Sequence, residues 1–396
     1  MQVILHIGDA KCGSSSIQAA LYDASKELIK RGVAYSALRR ATGHFSHITL
    51  LGGSTRGDDG RQRILAERCI ARMKGVIEAR RPRYLILSAE NFFAVRPDAL
   101  AAHLKSISPD IEGVHLIGYL RDPADRYLSS VQQILKADHV IPSASAAVRA
   151  IAWPFEEWGR HPLALSVSAR EFDGRALIAG SVVADFAEYL RSVCGDRRIR
   201  LEEVEVNASI SLEQMAILQR FRAEALGWLP GRFHADSNRL IAFFEEANAT
   251  CGVVGSRARL KDQVRADIMR LNRSSLGAVR AKFPWMRLAR QVDETVEKRF
   301  EPMPTAYHSI ADLCGEPDAE MLSALTALIP FFNEDLRKGE AERAIDGLQR
   351  LGRPIRLAGC YVRFLEHEGC DAAADQVAAR FALRPIAAEE TSDRKG

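Results

Sequence analysis

Three apolar runs of strand length constrain the fold more than any other feature: Val3 to Ile7, Tyr84 to Ser88, and Val114 to Leu120. None alternates polar with apolar residues, so each reads as a strand buried on both faces. Between them the apolar residues recur at helical spacing, as in Ile17, Leu21 and Leu28, and again in Ile64, Leu65, Ile70, Met73 and Ile77. Strand and helix signals in alternation favour right-handed β-α-β connections. The expectation is a three-layer α/β domain with a mostly parallel sheet over residues 1–290, followed by a helical C-terminal region over 291–396.

The first run ends in Gly8-Asp9-Ala10-Lys11-Cys12-Gly13-Ser14-Ser15-Ser16, and a helix follows. The first turn of a helix leaves backbone N–H groups without partners, and the helix dipole adds partial positive charge there. A loop of small residues with one lysine, feeding such a turn, suits a phosphate-like anion. Gly8 and Gly13 let the backbone close round it, Ser14 to Ser16 add hydroxyl donors, and Lys11 adds a mobile charge. A Walker A loop places its lysine directly after the last glycine; here Lys11 comes two residues before Gly13.

The third run ends in Arg121-Asp122-Pro123-Ala124-Asp125-Arg126-Tyr127-Leu128-Ser129. Pro123 suits a first helical turn, and the helix is expected to run to about Ala137. Arg121 at the strand end and Ser129 two turns along can then face one anion. The second run ends in Ser88-Ala89-Glu90, which puts a carboxylate at a central strand end, where ligands bind in open α/β sheets.

Together these segments resemble the sulfotransferases that use 3′-phosphoadenosine 5′-phosphosulfate (PAPS), in particular bacterial, carbohydrate-sulfotransferase-like members. The order G-x-x-K-x-G-S-S is similar to the family's 5′-phosphosulfate loop, and R-x-P-x-x-R-x-x-S is similar to its 3′-phosphate motif. The resemblance implies a fold like that of P-loop kinases. It implies a donor site of Lys11, Cys12, Gly13, Ser14, Ser15, Ser16, Arg121 and Ser129, with PAPS as co-substrate and no metal. It also implies transfer of a sulfuryl group to a hydroxyl of a saccharide or glycolipid, with Glu90 as base. His47, and after it His44, are further candidates near the acceptor, since several bacterial members carry a histidine at a similar place. The pair Trp153 and Trp158 lies where the family walls its acceptor cleft. One departure is Asn91, where several glycan sulfotransferases have a lysine. The segment V-N-x-S-I-S at 206–211 also resembles the family and leads to a helix capped by Ser211. The resemblance fades near Pro284. A nucleotide kinase and a non-catalytic scaffold on a degenerate sulfotransferase domain are the rival readings.

Composition bounds the rest. A net charge of +4 lacks the concentrated basic face that nucleic acid requires. The seven cysteines are scattered, with no C-x-x-C pair, as in reduced cytosolic thiols. No apolar stretch approaches 18 residues, so a cytoplasmic protein without a membrane span is expected. Residues 291–382 read as helical hairpins broken at Pro302, Pro304 and Pro317, a surface suited to packing or to a protein partner.

Overall fold

The computed structural model describes residues 1–54, 59–204, 210–251, 255–290, 304, 306–319, 322, 362, 366 and 371–381. The chain falls into two compact units that interleave in sequence. One comprises 1–129, 144–207 and 265–302; the other comprises 130–143, 208–264 and 303–396. The sequence reading drew a single line at 290, whereas 130–143 and 208–264 group with the C-terminal segment.

The first unit is built on a five-stranded parallel sheet. Its strands are β1 (Gln2–His6), β2 (Val33–Tyr35), β3 (Tyr84–Ser88), β4 (Gly113–Leu120) and β6 (Ala164–Glu171). Their order across the sheet is β2-β3-β1-β4-β6, and every pairing is parallel. Helices α1 (Ser14–Lys30), α2 (Asp59–Arg80), α3 (Pro97–Ile107), α4 (Pro123–Leu135), α5 (Trp153–Arg160) and α6 (Val182–Cys194) lie between and after the strands. The α/β class with a parallel sheet is as the apolar runs predict.

Both sheet faces are covered, which is why those runs do not alternate. Ile4, Ile86, Ile117 and Tyr119 share a core with Ile17 and Leu21 of α1 and with Val183 and Phe186 of α6. The intervening residues Val3, Leu5, Leu85, Leu87 and Leu116 point the other way and are equally buried. On that face a Cβ at Gly118 would lie 2.8 Å from Phe155 Cζ of α5 and 2.8 Å from the Gly8 carbonyl oxygen. Gly118 therefore lets α5 and the loop after β1 close onto the sheet.

Three elements differ from the sequence pattern, which reads 173–190 as helical, 199–205 as a strand or extended segment, and Trp153 with Trp158 as lying where an acceptor cleft would be walled. Helix α6 begins only at Val182: Asp173 binds the Arg175 N–H and starts a turn, Ala179 and Gly180 have positive φ, and the Ser181 hydroxyl caps Val183 and Ala184. Residues 199–204 join no sheet strand, although Ile199 is buried. Trp158 is 1% exposed and belongs to the core, while Trp153 is half-buried.

The second unit contains β5 (Ile141–Pro142), paired antiparallel with β7 (Ala306–Tyr307). Its helices include α7 (Leu212–Leu226) and α8 (Ala235–Cys251). Ser211 caps α7 as expected, in a capping box with Gln214. Buried Arg222 donates to the carbonyls of Ala137 and Leu229 and to Ser237 Oγ. Helix α9 (Asp262–Leu271) precedes α10 (Arg273–Lys282) and α11 (Arg287–Arg290) of the first unit. Helices α12 (Ile310–Leu313) and α13 (Asp371–Arg380) complete the described elements. Of the V-N-x-S-I-S segment, 206–209 lie outside the described residues, as do most of the expected C-terminal hairpins. Among the described residues no helix is long and apolar enough to cross a membrane.

Candidate functional site

Strand β1 lies between β3 and β4, so the chain leaves it for one side of the sheet and later crosses to the other. The carboxyl end of β1 is thus a topological switch point, where ligands bind in open parallel sheets. In the register of the three strands, His6 pairs with Ser88 on one side and Ile117 on the other. The segments leaving β3, β1 and β4 carry Glu90, Lys11 and Arg121 respectively. They therefore emerge side by side at one sheet edge.

The loop after β1 is shaped by three residues of positive φ: Gly8 at 73°, Lys11 at 67° and Gly13 at 76°. Gly13 is the N-cap of α1 and contributes no side-chain cap, so the amide groups of Ser14, Ser15 and Ser16 stay directed out of the helix start. The Ser14 hydroxyl is buried and has no hydrogen-bond partner among the described residues. A Cβ on Gly8 would lie 3.2 Å from it and 2.7 Å from the Glu90 Cα. Gly8, Ser14 and Glu90 thus converge. Cys12 turns its side chain into the core, which pushes its thiol pKa well above the usual range, so only its backbone can serve a ligand.

Glu90 opens a short 3-10 helix, Glu90–Ala94. Burial pushes its carboxyl pKa up. The Lys11 ammonium counters that, Asp9 reinforces it, and Arg149 and the Lys11 backbone N–H pull it back down. Arg121 donates to the Lys11 carbonyl at 2.9 Å, and its guanidinium carbon lies 5.4 Å from the centre of the Phe172 ring. The same ring would lie 2.9 Å from a Cβ on Gly13. Helix α4 starts at Pro123 as expected, with Asp122 accepting from the Ala124 and Asp125 N–H groups and from Arg265. Ser129 is half-buried on α4, about 9 Å along the axis from Pro123 at 1.5 Å per residue.

Two groups escaped the sequence reading. Asp9, 1% exposed, accepts from Arg149 and from the Ala10 N–H, and its second oxygen lies 3.8 Å from Arg126 Nε. Arg126 also donates to the Ala147 carbonyl at 2.8 Å. A buried ion cluster therefore underlies the loop. The signal for it was present as the charged residues inside the two motifs, but Arg149 sits in a stretch with no periodicity to mark it.

His44 and His47, expected near the acceptor, are both wholly buried. His47 Nδ1 and His103 Nε2 are hydrogen-bonded at 3.0 Å, and the rings of His44, His47 and His103 stack edge to face. His44 Nδ1 accepts the Ser88 N–H at 3.1 Å. His47 has no solvent-facing edge and packs the segment 45–51 against His103 of α3. Asn91 serves the same packing, donating to the Phe45 carbonyl. Among the described residues no group of His, Cys, Asp and Glu side chains is arranged to hold a metal ion.

Comparison with protein-family models, with curated proteins and with solved structures finds no match. The class that the fold and site define is an α/β protein with a glycine- and serine-rich loop, bearing Lys11, at the switch point of a parallel sheet.

Proposed function

We propose that the chain is a PAPS-dependent sulfotransferase acting on a hydroxyl, with a saccharide or glycolipid as the acceptor class. The observation that carries this reading is the meeting of Lys11, Glu90 and Arg121 at three adjacent strand ends, with Glu90 half-buried beside Lys11. The uncapped amides of Ser14 to Ser16 and the partnerless Ser14 hydroxyl fit a 5′-phosphosulfate, and Arg121 with Ser129 fits a 3′-phosphate.

In the reaction the acceptor oxygen attacks sulfur as the bond from sulfur to the phosphate oxygen breaks. 3′-Phosphoadenosine 5′-phosphate (PAP) leaves, and Glu90 takes the hydroxyl proton. Lys11 and the α1 N-terminus oppose the charge that grows on the leaving oxygen.

The test is transfer of radiolabelled sulfur from PAPS to a saccharide panel by wild type and Glu90→Gln. The reading expects turnover in wild type and a fall of at least ~100-fold in the variant, the scale of general-base catalysis. Mg²⁺-dependent ATP turnover in its place would make the protein a kinase. No nucleotide turnover or binding at all would leave a scaffold.

A further inference from the structure

Arg149 has no place in the motifs, yet three contacts fix it at the site. Its guanidinium is paired with Asp9 of the loop after β1. The guanidinium carbon stands 4.9 Å from the centre of the Phe93 ring. Its backbone N–H donates to Asn272 Oδ1, and two residues on the Ile151 N–H donates to Ser275 Oγ, which ties the segment to α10.

The Phe93 contact locates Arg149 relative to Glu90. Phe93 and Glu90 both belong to the 3-10 helix Glu90–Ala94, in which residues three apart eclipse one another. A cation stacked on Phe93 therefore flanks the Glu90 side chain. Arg149 is also 27% exposed while Asp9 is 1% exposed, so the guanidinium stands at the mouth of the ion cluster and not at its base.

We infer that Arg149 is a positioning residue for Glu90: clamped between Asp9 and Phe93, its guanidinium is a second countercharge, beside Lys11, against which the carboxylate is set to receive the acceptor's proton. The inference rests on the sulfotransferase reading for the identity of that proton. The groups that face Glu90 are Lys11 by its ammonium and backbone N–H, Asp9, and Arg149, with the Ser14 hydroxyl beside Gly8. Lys11 is the cation committed to the leaving group, so Arg149 is the one assigned to the base. Asp9 opposes it, since a second carboxylate nearby favours the protonated form of Glu90.

The sign follows. Removing Arg149 withdraws a positive charge from a half-buried carboxylate already held high by desolvation, so Glu90 must titrate at still higher pH. The direct readout is carbon NMR of protein labelled at the glutamate carboxyl carbon, with the Glu90 signal assigned by its loss in Glu90→Gln. Arg149→Gln should raise its midpoint by about one pH unit, within the range that a nearby opposite charge commands. Arg149→Lys, which keeps the charge, should move it less, and Phe93→Leu, which removes only the stacking face, should move it in the same direction. In the pH profile of transfer, the acid limb should move with the midpoint, so that the loss is about tenfold at low pH and shrinks as pH rises. PAP affinity should stay within about threefold of wild type. An unmoved midpoint, or an equal loss at every pH, would overturn the inference in favour of mere packing. A fall in PAP affinity as large as that in Arg121→Ala would make Arg149 a donor ligand. A wild type that transfers nothing while Arg149→Gln still shifts the Glu90 midpoint would sink the proposed reaction and leave the pairing standing.

Discussion

Gly8 and Gly52 share a left-handed backbone, φ 73° and 76°, but differ in what surrounds them. An alanine Cβ at Gly52 would meet nothing within 4 Å, whereas at Gly8 it would lie 2.7 Å from the Glu90 Cα and 3.0 Å from its Cβ. The left-handed conformation costs an alanine about 1–2 kcal/mol, and alanine recovers about 0.4–1 kcal/mol by restricting the unfolded chain. Gly52→Ala should therefore lose about 1 kcal/mol. Gly8→Ala carries the same backbone cost and in addition overpacks against main chain that cannot rotate away, a further ~1–3 kcal/mol. Its total comes to about 2–4 kcal/mol. At roughly 2–4 °C per kcal/mol for a unit of this size, Gly52→Ala should lower the melting temperature by a few degrees and Gly8→Ala by about 4–16 °C. Parallel urea and thermal melts of the two variants give the difference without reference to any ligand. Equal losses would refute the claim that the β1 loop and the Glu90 turn are held in backbone contact.

Two further outcomes follow from the same structure. Burial holds His44 and His103 at about 4 and His6 at about 3, below their ordinary 6.5. The unfolded chain takes up these protons first, so stability is full above pH 6.5 and falls toward pH 4, with a slope of up to roughly 4 kcal/mol per pH unit for three protons. The urea midpoint against pH should show this fall, and His103→Gln, which can still bond His47 Nδ1, should flatten it; a level midpoint from pH 6.5 to 4.5 would count against the buried array. In α2, Gly75 has open space where a Cβ would go, so Gly75→Ala should raise stability by about 0.5–1 kcal/mol in the same melts.

The sheet was legible because β1, β3 and β4 are buried on both faces, which forces unbroken apolar runs that periodicity finds. The helix starts at Ser14, Pro123 and Leu212 were legible because glycine, proline and serine act locally on the backbone. What stayed hidden depends on contacts distant in sequence. His103 lies 56 residues from His47, and Arg149 lies 140 residues from Asp9. Neither residue departs from its local pattern, so only the folded chain reveals that the histidines are packing and that the arginine belongs to the site. Trp158 was open between a core and a cleft wall, since packing is the commoner use of tryptophan, and its burial decides for the core.

The central claim is that Arg121 reads a 3′-phosphate while the loop around Lys11 holds the 5′ end. Calorimetric titration of wild type and Arg121→Ala with PAP and with ADP tests it most directly. The account predicts that wild type binds PAP without Mg²⁺ at least ~10-fold tighter than ADP, about 1.4 kcal/mol for the added phosphate contacts, and that Arg121→Ala erases the preference. Equal affinity for the two nucleotides, or a preference for ADP that survives in Arg121→Ala, would contradict it.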